Sequence, residues 1–394
     1  ERVLAPALAV GGLSKRQLAA AAREKGARFP VPAVLDVARS DEGALLDVAE
    51  WRDWWDRVRR SADGDDRWWR WGAGGYLIRY KRWQLGAEGG EALLLIHGFG
   101  ASADQWTRLV EELEAQSEKN NSPPPIGTVY AVDYVGFGLS AKPGLSYTQH
   151  MWESMLFEFT EDVVLSGHDR VVLCGNSIGG GLAAGLASNL GKARCAGLIL
   201  CNSAGVILEP EADAALKGSA ENEVARKTMA VLRNDSLGAL EPFVPPPGGQ
   251  LLLDAFGQAV IEFLAPQIPK LLKRYYPTNP ANADDRLAAT IARDARDPGC
   301  ANVIGSGAKL PPQRSLNEVL RAFGGPILVP QGEFDYVSGP ERTKLRADQL
   351  AAIDVDGPVT VDLLDSGHCP HDESPDLVAR SIVDWLNGPD FQQS

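Results

Sequence analysis

From Gly75 onward, short apolar runs alternate with longer amphipathic stretches. "YLIRYKRWQL" and "ALLLIHGFG" read as strands separated by the glycine-rich "GAEGGE". The pattern then predicts a helix over 103–116, the loop "QSEKNNSPPPIG" and the strand "TVYAVDYVGFG". A helix over about 148–166, the strand "RVVLCGNS", a helix from 178 to about 190 and the strand "AGLILCNSAG" come next. Strands alternating with helices predict an α/β fold, with a mostly parallel sheet covered on both faces. The alternation stops over 206–320, where "LLLDAFGQAVIEFLAPQIPKLLKRYY" and "DDRLAATIARDA" are helical and no strand stands out. It resumes with "GPILVPQGEFD", a helix at 340–351, "VTVDLLDSGH" and the helix "SPDLVARSIVDWL". A helical insertion between strands predicts a cap over the strands' carboxyl ends, where open α/β sheets bind ligands. Its apolar residues Leu251–Leu253, Phe256, Ile261, Phe263 and Leu264 are expected to line a pocket for a long apolar chain as well as glue the cap to the core.

Residues 1–70 differ from the rest of the chain. "SKRQLAAAAREKGARF" has helical composition, and "DEGALLDVAEWRDWWDRVRRSA" puts Trp51, Trp54, Trp55 and Val58 on one helical stripe. Seven of the ten tryptophans fall between Trp51 and Trp83, which suggests an arm stapled to the domain by aromatic packing rather than a ligand platform. The chain therefore divides into a helical arm (1–70), a first core segment (71–205), a helical cap (206–320) and a second core segment (321–394).

Bulk composition narrows the function. A net charge of −13 argues against a nucleic-acid partner, because phosphate contacts need clustered lysine and arginine. It also opposes electrostatic docking on an anionic bilayer, and leaves peripheral membrane association through an apolar loop open. No run long and apolar enough for a spanning helix stands out. Five cysteines form no CxxC pair and make a poor disulfide framework, which favours a reducing compartment. The chain opens at Glu1 without methionine and reads as a processed or truncated product.

The chemistry gathers around "VVLCGNSIGGG". Ser177 lies in G-x-S-x-G after a strand and before a helix, the context of a nucleophile elbow. So sharp a turn strains the serine and leaves room only for glycine beside it. The hydroxyl needs a base, and the chain has five histidines. His368, after the last strand in "DLLDSGHCPHD", stands where the order serine, acid, histidine requires it. His371 is assigned to orienting that loop, His150 and His168 to the surface, and His97 in "HGFG" to shaping the oxyanion loop. Asp335 in "ILVPQGEFDYVS" is the expected acid, with Glu333 as the fallback. Asp133 is expected to brace its own turn. The anion hole would take the N–H groups of Ile178 and Phe99, with Gly98 and Gly100 letting the "HGFG" loop bend close to the substrate. No motif for a cofactor is found, and "HCPH" lacks the second cluster a metal site needs.

These motifs give the chain a resemblance to the α/β-hydrolase superfamily over about Trp71 to Trp385. "LLLIHGFGASADQW", "VDYVGFGLSAKP", "LCGNSIGGG", "LCNSAG", "RDARDPGCANVIGSGAKLPP" and "GHCPHDESPD" carry it further, to the chloroplast hydrolases that include pheophytinase and the chlorophyll dephytylases. That resemblance implies hydrolysis of the phytyl ester of chlorophyll-type pigments, Ser177, Asp335 and His368 as the matching triad, and a plastid location. Ile178 departs from the leucine that usually succeeds the serine in the closer relatives, and the resemblance does not extend to the Trp-rich arm before residue 70. A general esterase or lipase for other apolar esters, and a non-catalytic ligand receptor of the same fold, are the alternative readings.

Overall fold

The computed structural model describes residues 65–392, apart from 73–74, 87–90, 121–124, 146, 215–248, 298 and 307–313. The Trp51–Val58 stripe lies outside the described residues. Eight strands form one sheet: β1 (Asp65–Trp71), β2 (Tyr76–Gln84), β3 (Glu91–Ile96), β4 (Ile126–Val132), β5 (Val171–Asn176), β6 (Cys195–Cys201), β7 (Ile327–Gly332) and β8 (Val359–Leu364). Their spatial order is β1-β2-β4-β3-β5-β6-β7-β8. The β1–β2 and β2–β4 pairings are antiparallel, and every pairing from β4–β3 onward is parallel.

Along the chain run α1 (Thr107–Asn120), α2 (Gln149–Phe159), α3 (Ile178–Leu190), α4 (Gly249–Leu264), α5 (Ile268–Tyr275), α6 (Asp285–Ala295), α7 (Cys300–Ser306), α8 (Leu316–Phe323), α9 (Pro340–Ala351), α10 (Pro370–Glu373) and α11 (Pro375–Asn387). Both faces of the central strands are buried, which explains runs such as "ALLLI" that are apolar at every position. Leu93 and Leu95, with Val172 and Cys174, pack against Trp106, Leu109, Val378 and Ile382 on the α1/α11 side. Leu94, Ile96 and Leu173 face the opposite layer of Met155, Leu182, Leu186 and Leu320.

Two boundaries differ from the sequence reading. The sheet begins at Asp65 rather than at residue 71, because Trp69 and Trp71 follow strand alternation. Trp71 is buried, and Trp69 meets Phe159 edge-on while its Nε1 donates to Asp162 at 3.2 Å. The second difference lies at residue 320, the expected end of the cap, which falls inside α8. Ser315 caps that helix by accepting from Glu318 N at 3.2 Å, and Leu316, Val319, Leu320 and Phe323 join the core layer that holds α3. It therefore belongs to the core, and among the described residues the cap helices are α4 to α7. Of the expected pocket residues on α4, Ile261 is buried, whereas Leu252, Phe256, Phe263 and Leu264 are exposed. All five cysteines are buried and unpaired: Cys174 on β5, Cys195 and Cys201 on β6, Cys300 at the start of α7 and Cys369 just before α10.

One buried cation ties three segments to the antiparallel edge. Arg79 on β2 donates to Asp66 (3.0 Å), to both oxygens of Asp104 (3.2 and 2.7 Å) and to Asp133 (3.1 Å). The cap reaches the same cluster through Arg293, 3.8 Å from Asp104. Replacing Arg79 with methionine keeps the bulk and removes the cation paired with fully buried Asp133, while Lys81 still reaches Asp104 at 2.9 Å. We expect Arg79→Met to cost about 3–5 kcal/mol in urea unfolding; a loss under about 1 kcal/mol would contradict the hub.

Candidate active site

The β5–α3 junction is built by close approach rather than by slack. Ser177 takes φ 54° and ψ −123°, the left-handed side of the map that a serine rarely visits. A β-carbon at Gly175 would overlap the carbonyl of Gly179, one at Gly179 would overlap the carbonyls of Ile96 and His97, and one at Gly180 would run into Ser203. These glycines let the start of α3 lie directly on the ends of β3 and β5. Ser177 is thereby lifted clear at the helix N-terminus, where the N–H of Ile178 has no intrahelical acceptor.

The "HGFG" loop passes beside this elbow. A β-carbon on Gly98 would sit 3.3 Å from Ser177 Cβ. His97 is fully buried, with its ring stacked on Tyr134 at 4.3 Å and Nδ1 2.8 Å from Gly98 O. Burial lowers its pKa, which keeps the ring a neutral support. Phe99 is exposed and meets Phe137 edge-on at 5.2 Å, and Gly100 adopts φ 73°. Asp133 anchors the loop's far end by accepting from Ala103 N at 2.6 Å and from Leu139 N at 2.9 Å.

On the other side, His368 Nδ1 lies 2.9 Å from Asp335 Oδ1. Asp335 is buried, whereas the fallback Glu333 points to solvent. The Asp335 carboxylate also accepts from Val337 N (2.8 Å), Ser338 Oγ (3.0 Å) and Asn202 Nδ2 (3.2 Å). Burial works to raise its pKa, yet His368 and these donors bring it down to about 2. The His368 backbone is held at both ends: its N–H donates to Tyr275 O at 3.0 Å, and its carbonyl accepts from Asn176 Nδ2 at 2.9 Å. Asn176 immediately precedes Ser177, so one side chain joins the serine's strand to the histidine's loop.

The remaining candidates separate from this cluster. His150 is exposed, and His168 lies at the opposite end of β5, 3.4 Å from Tyr130 Oη. His371 is fully buried against Trp106, with ring centroids 3.9 Å apart. Among the described residues, no group of three or more His, Cys, Asp or Glu side chains is placed to hold a metal ion. Sequence reasoning missed Asn176, Asn202 and Ser338. Asn202 adopts φ 41° and braces the acid loop through both amide atoms, accepting from Gly332 N at 2.8 Å. An asparagine at a strand end, tolerant of that φ, was the available signal in "LCNSAG".

Comparison with known proteins matches residues 93–381 to the alpha/beta hydrolase family. The 2-hydroxy-6-oxo-6-(2'-aminophenyl)hexa-2,4-dienoic acid hydrolase of Metapseudomonas resinovorans is 34% identical over 144 residues, 36% of this chain and 44% of that protein. Lipase 1 of Psychrobacter immobilis is 33% identical over 104 residues, 26% of this chain and 29% of the lipase. The matched stretches thus span less than half of either relative. Among solved structures, a thermophilic esterase from Thermogutta terrifontis superposes with a TM-score of 0.52 at 22% identity, covering 82% of this chain and 98% of its own. An esterase from Exiguobacterium antarcticum gives 0.54 at 16% identity, covering 82% and 100%. At these identities the superpositions speak for the fold.

His371 sets an expected pH dependence. Burial, with His368 and His97 nearby, lowers its pKa to about 3, and neither ring nitrogen has a hydrogen-bond partner among the described residues. The unfolded chain takes up this proton below about pH 6.5 while the folded chain does not, so stability falls as pH drops from there toward 3. This one group contributes a slope of about 1.4 kcal/mol per pH unit within that window. His371→Phe, which keeps a ring against Trp106, should flatten the wild-type slope by that amount in urea unfolding at pH 4.5 and 6. An unchanged slope would mean that the ring is protonated in the fold.

Proposed function

The chain belongs to the alpha/beta hydrolase family, and on that premise we propose that it is a serine carboxylester hydrolase. The observation that carries this reading is the 2.9 Å contact between His368 Nδ1 and Asp335 Oδ1, on a loop that Asn176 ties to the strained Ser177. In this scheme Ser177 Oγ attacks the ester carbonyl and His368 Nε2 takes its proton. Asp335 holds the Nδ1–H tautomer and stabilises the imidazolium without taking the proton itself. The tetrahedral oxyanion rests on the N–H groups of Phe99 and Ile178, with Gly98 and Gly100 letting the loop come close. His368 then protonates the departing alcohol. Water activated by the same histidine releases the acid and restores Ser177. No step calls for a cofactor or a metal.

We further propose that the ester is apolar, and specifically the phytyl ester of a chlorophyll-type pigment. Support comes from the cap and base-loop motifs "RDARDPGCANVIGSGAKLPP" and "GHCPHDESPD". Exposed Leu252, Phe256 and Phe263 on the cap, with Phe334, Tyr336 and Val337 around the acid, suit an isoprenoid chain and a peripheral contact with membrane lipid. A plastid location is proposed on the same resemblance. Similarity to bacterial lipases favours acyl esters as the second reading.

Incubation with chlorophyll a, pheophytin a and p-nitrophenyl esters of graded chain length, followed by chromatography, separates these readings. Chlorophyllide or pheophorbide is the expected product, and turnover of acyl esters alone would leave a general esterase. A fluorophosphonate should label Ser177, and Ser177→Ala should lower kcat by about 10^4-fold or more. A Ser177→Ala protein with near-wild-type turnover, or a wild type inert to the probe, would remove the catalytic reading in favour of a ligand receptor.

A further inference from the structure

Glu373, at the end of α10, is fully buried, and its carboxylate gathers five donors from two separate parts of the chain. On the cap side, Oε1 accepts from Thr278 N (2.7 Å), Thr278 Oγ1 (2.9 Å) and Asn279 N (3.1 Å). On the side of the base, Oε2 accepts from Ser366 Oγ (3.0 Å) and from Gly367 N, directly before His368. No cationic side chain pairs with it among the described residues; nearby Arg108 is taken up by Asp284 and Asp372. The backbone of the same helix end is clasped as well. Asn279 Nδ2 and Asn282 Nδ2 donate to Glu373 O at 3.1 and 2.9 Å. Just upstream of this cap segment, Tyr275 O accepts the His368 N–H, and Gly367 leaves no room for a β-carbon against that carbonyl.

We infer that Glu373 is a positioning residue that couples the seating of the cap to the placement of His368. Its two oxygens are divided between the two elements, so neither can shift without leaving an oxygen of this fully buried carboxylate short of partners. A histidine displaced by a fraction of an ångström loses its line to Ser177 and its contact with Asp335, and errors on the ångström scale cost about 100-fold in rate. In this view the cap supplies part of the machinery of the base as well as a wall for substrate. The inference rests on the proposed hydrolase reading.

Glu373→Gln tests it, because the amide keeps the shape but replaces one acceptor oxygen with a donor. We expect kcat to fall about 100-fold with KM within about threefold. In proton NMR, the downfield signal of the His368–Asp335 hydrogen bond should shift or broaden. The double variant Ser366→Ala/Thr278→Val, which removes one hydroxyl donor from each side, should show the same changes to a smaller degree, and it decides the matter if Glu373→Gln does not fold. Wild-type kcat and an unchanged downfield signal in a folded variant would overturn the inference. The NMR readout is independent of turnover. A wild type unreactive toward fluorophosphonate would therefore defeat the hydrolase reading alone and leave the role of Glu373 to be judged on the signal.

Discussion

The amino end of α3 rests on the carboxyl ends of β3 and β5 with no side chain between them, and the site depends on this backbone contact. Gly179 lies against the carbonyls of Ile96 and His97, and Gly175 against that of Gly179. The contact brings the loop after β3 beside the residue after β5, so the two expected anion-hole segments become neighbours. It also explains how strain at Ser177 persists. The residue's own N–H donates to Cys201 O at 3.2 Å, and its carbonyl accepts from Ala204 N at 2.7 Å and Gly180 N at 3.0 Å. A conformation costing about 1–3 kcal/mol is held because its surroundings determine it from three sides.

Around that contact, polar groups help fasten the described part of the cap. Lys142, buried after the β4 turn, pairs with Asp297 at 2.6 Å, and Gly299 lies too close to Lys142 O to carry a side chain. Tyr276 donates to buried Asp372 at 2.5 Å while accepting from Gln105 Nε2 at 2.9 Å, which joins the cap to the turn before α1 and to α10 at once. Buried pairs of this kind add little net stability over apolar packing, but a misplaced partner is expensive. They fix one docking geometry for the cap, which a greasy interface alone would leave free to slide.

Much of this was legible in the sequence where the cause is local. A strand buried on both faces must be apolar throughout, so "ALLLI" and "RVVLCGN" declared themselves. The elbow declared itself because its glycines answer contacts made within a few residues. Asp335 and His368 could be named because chain order places one after each of the last two strands, and the structure pairs them. Asn202, Tyr275 and Glu373 stayed hidden because their partners lie far along the chain: Asn202 meets Asp335 133 residues on, and Glu373 meets Thr278 95 residues back. Spacing carries no trace of such pairings. The tryptophans at 68–71 group with the helical arm by composition, which overshadows their period of two. Likewise α8 groups with the cap because it is a helix after helices, although its apolar stripe belongs to the core.

The buried cysteines turn the chain into its own reporter of loosening. Burial pushes the Cys300 thiol up to about 11 and that of Cys195 up to about 12, so at neutral pH they are protonated as well as covered. A thiol reagent therefore reacts only when the layer over each sulfur opens. Cys300 reports on the cap, Cys369 on the seam between the cap and the loop of His368, and Cys174 and Cys201, 3.9 Å apart across β5 and β6, on the parting of the central strands. The order in which these sulfurs become reactive under mild denaturant is the order in which the molecule comes apart, read without adding any probe to it.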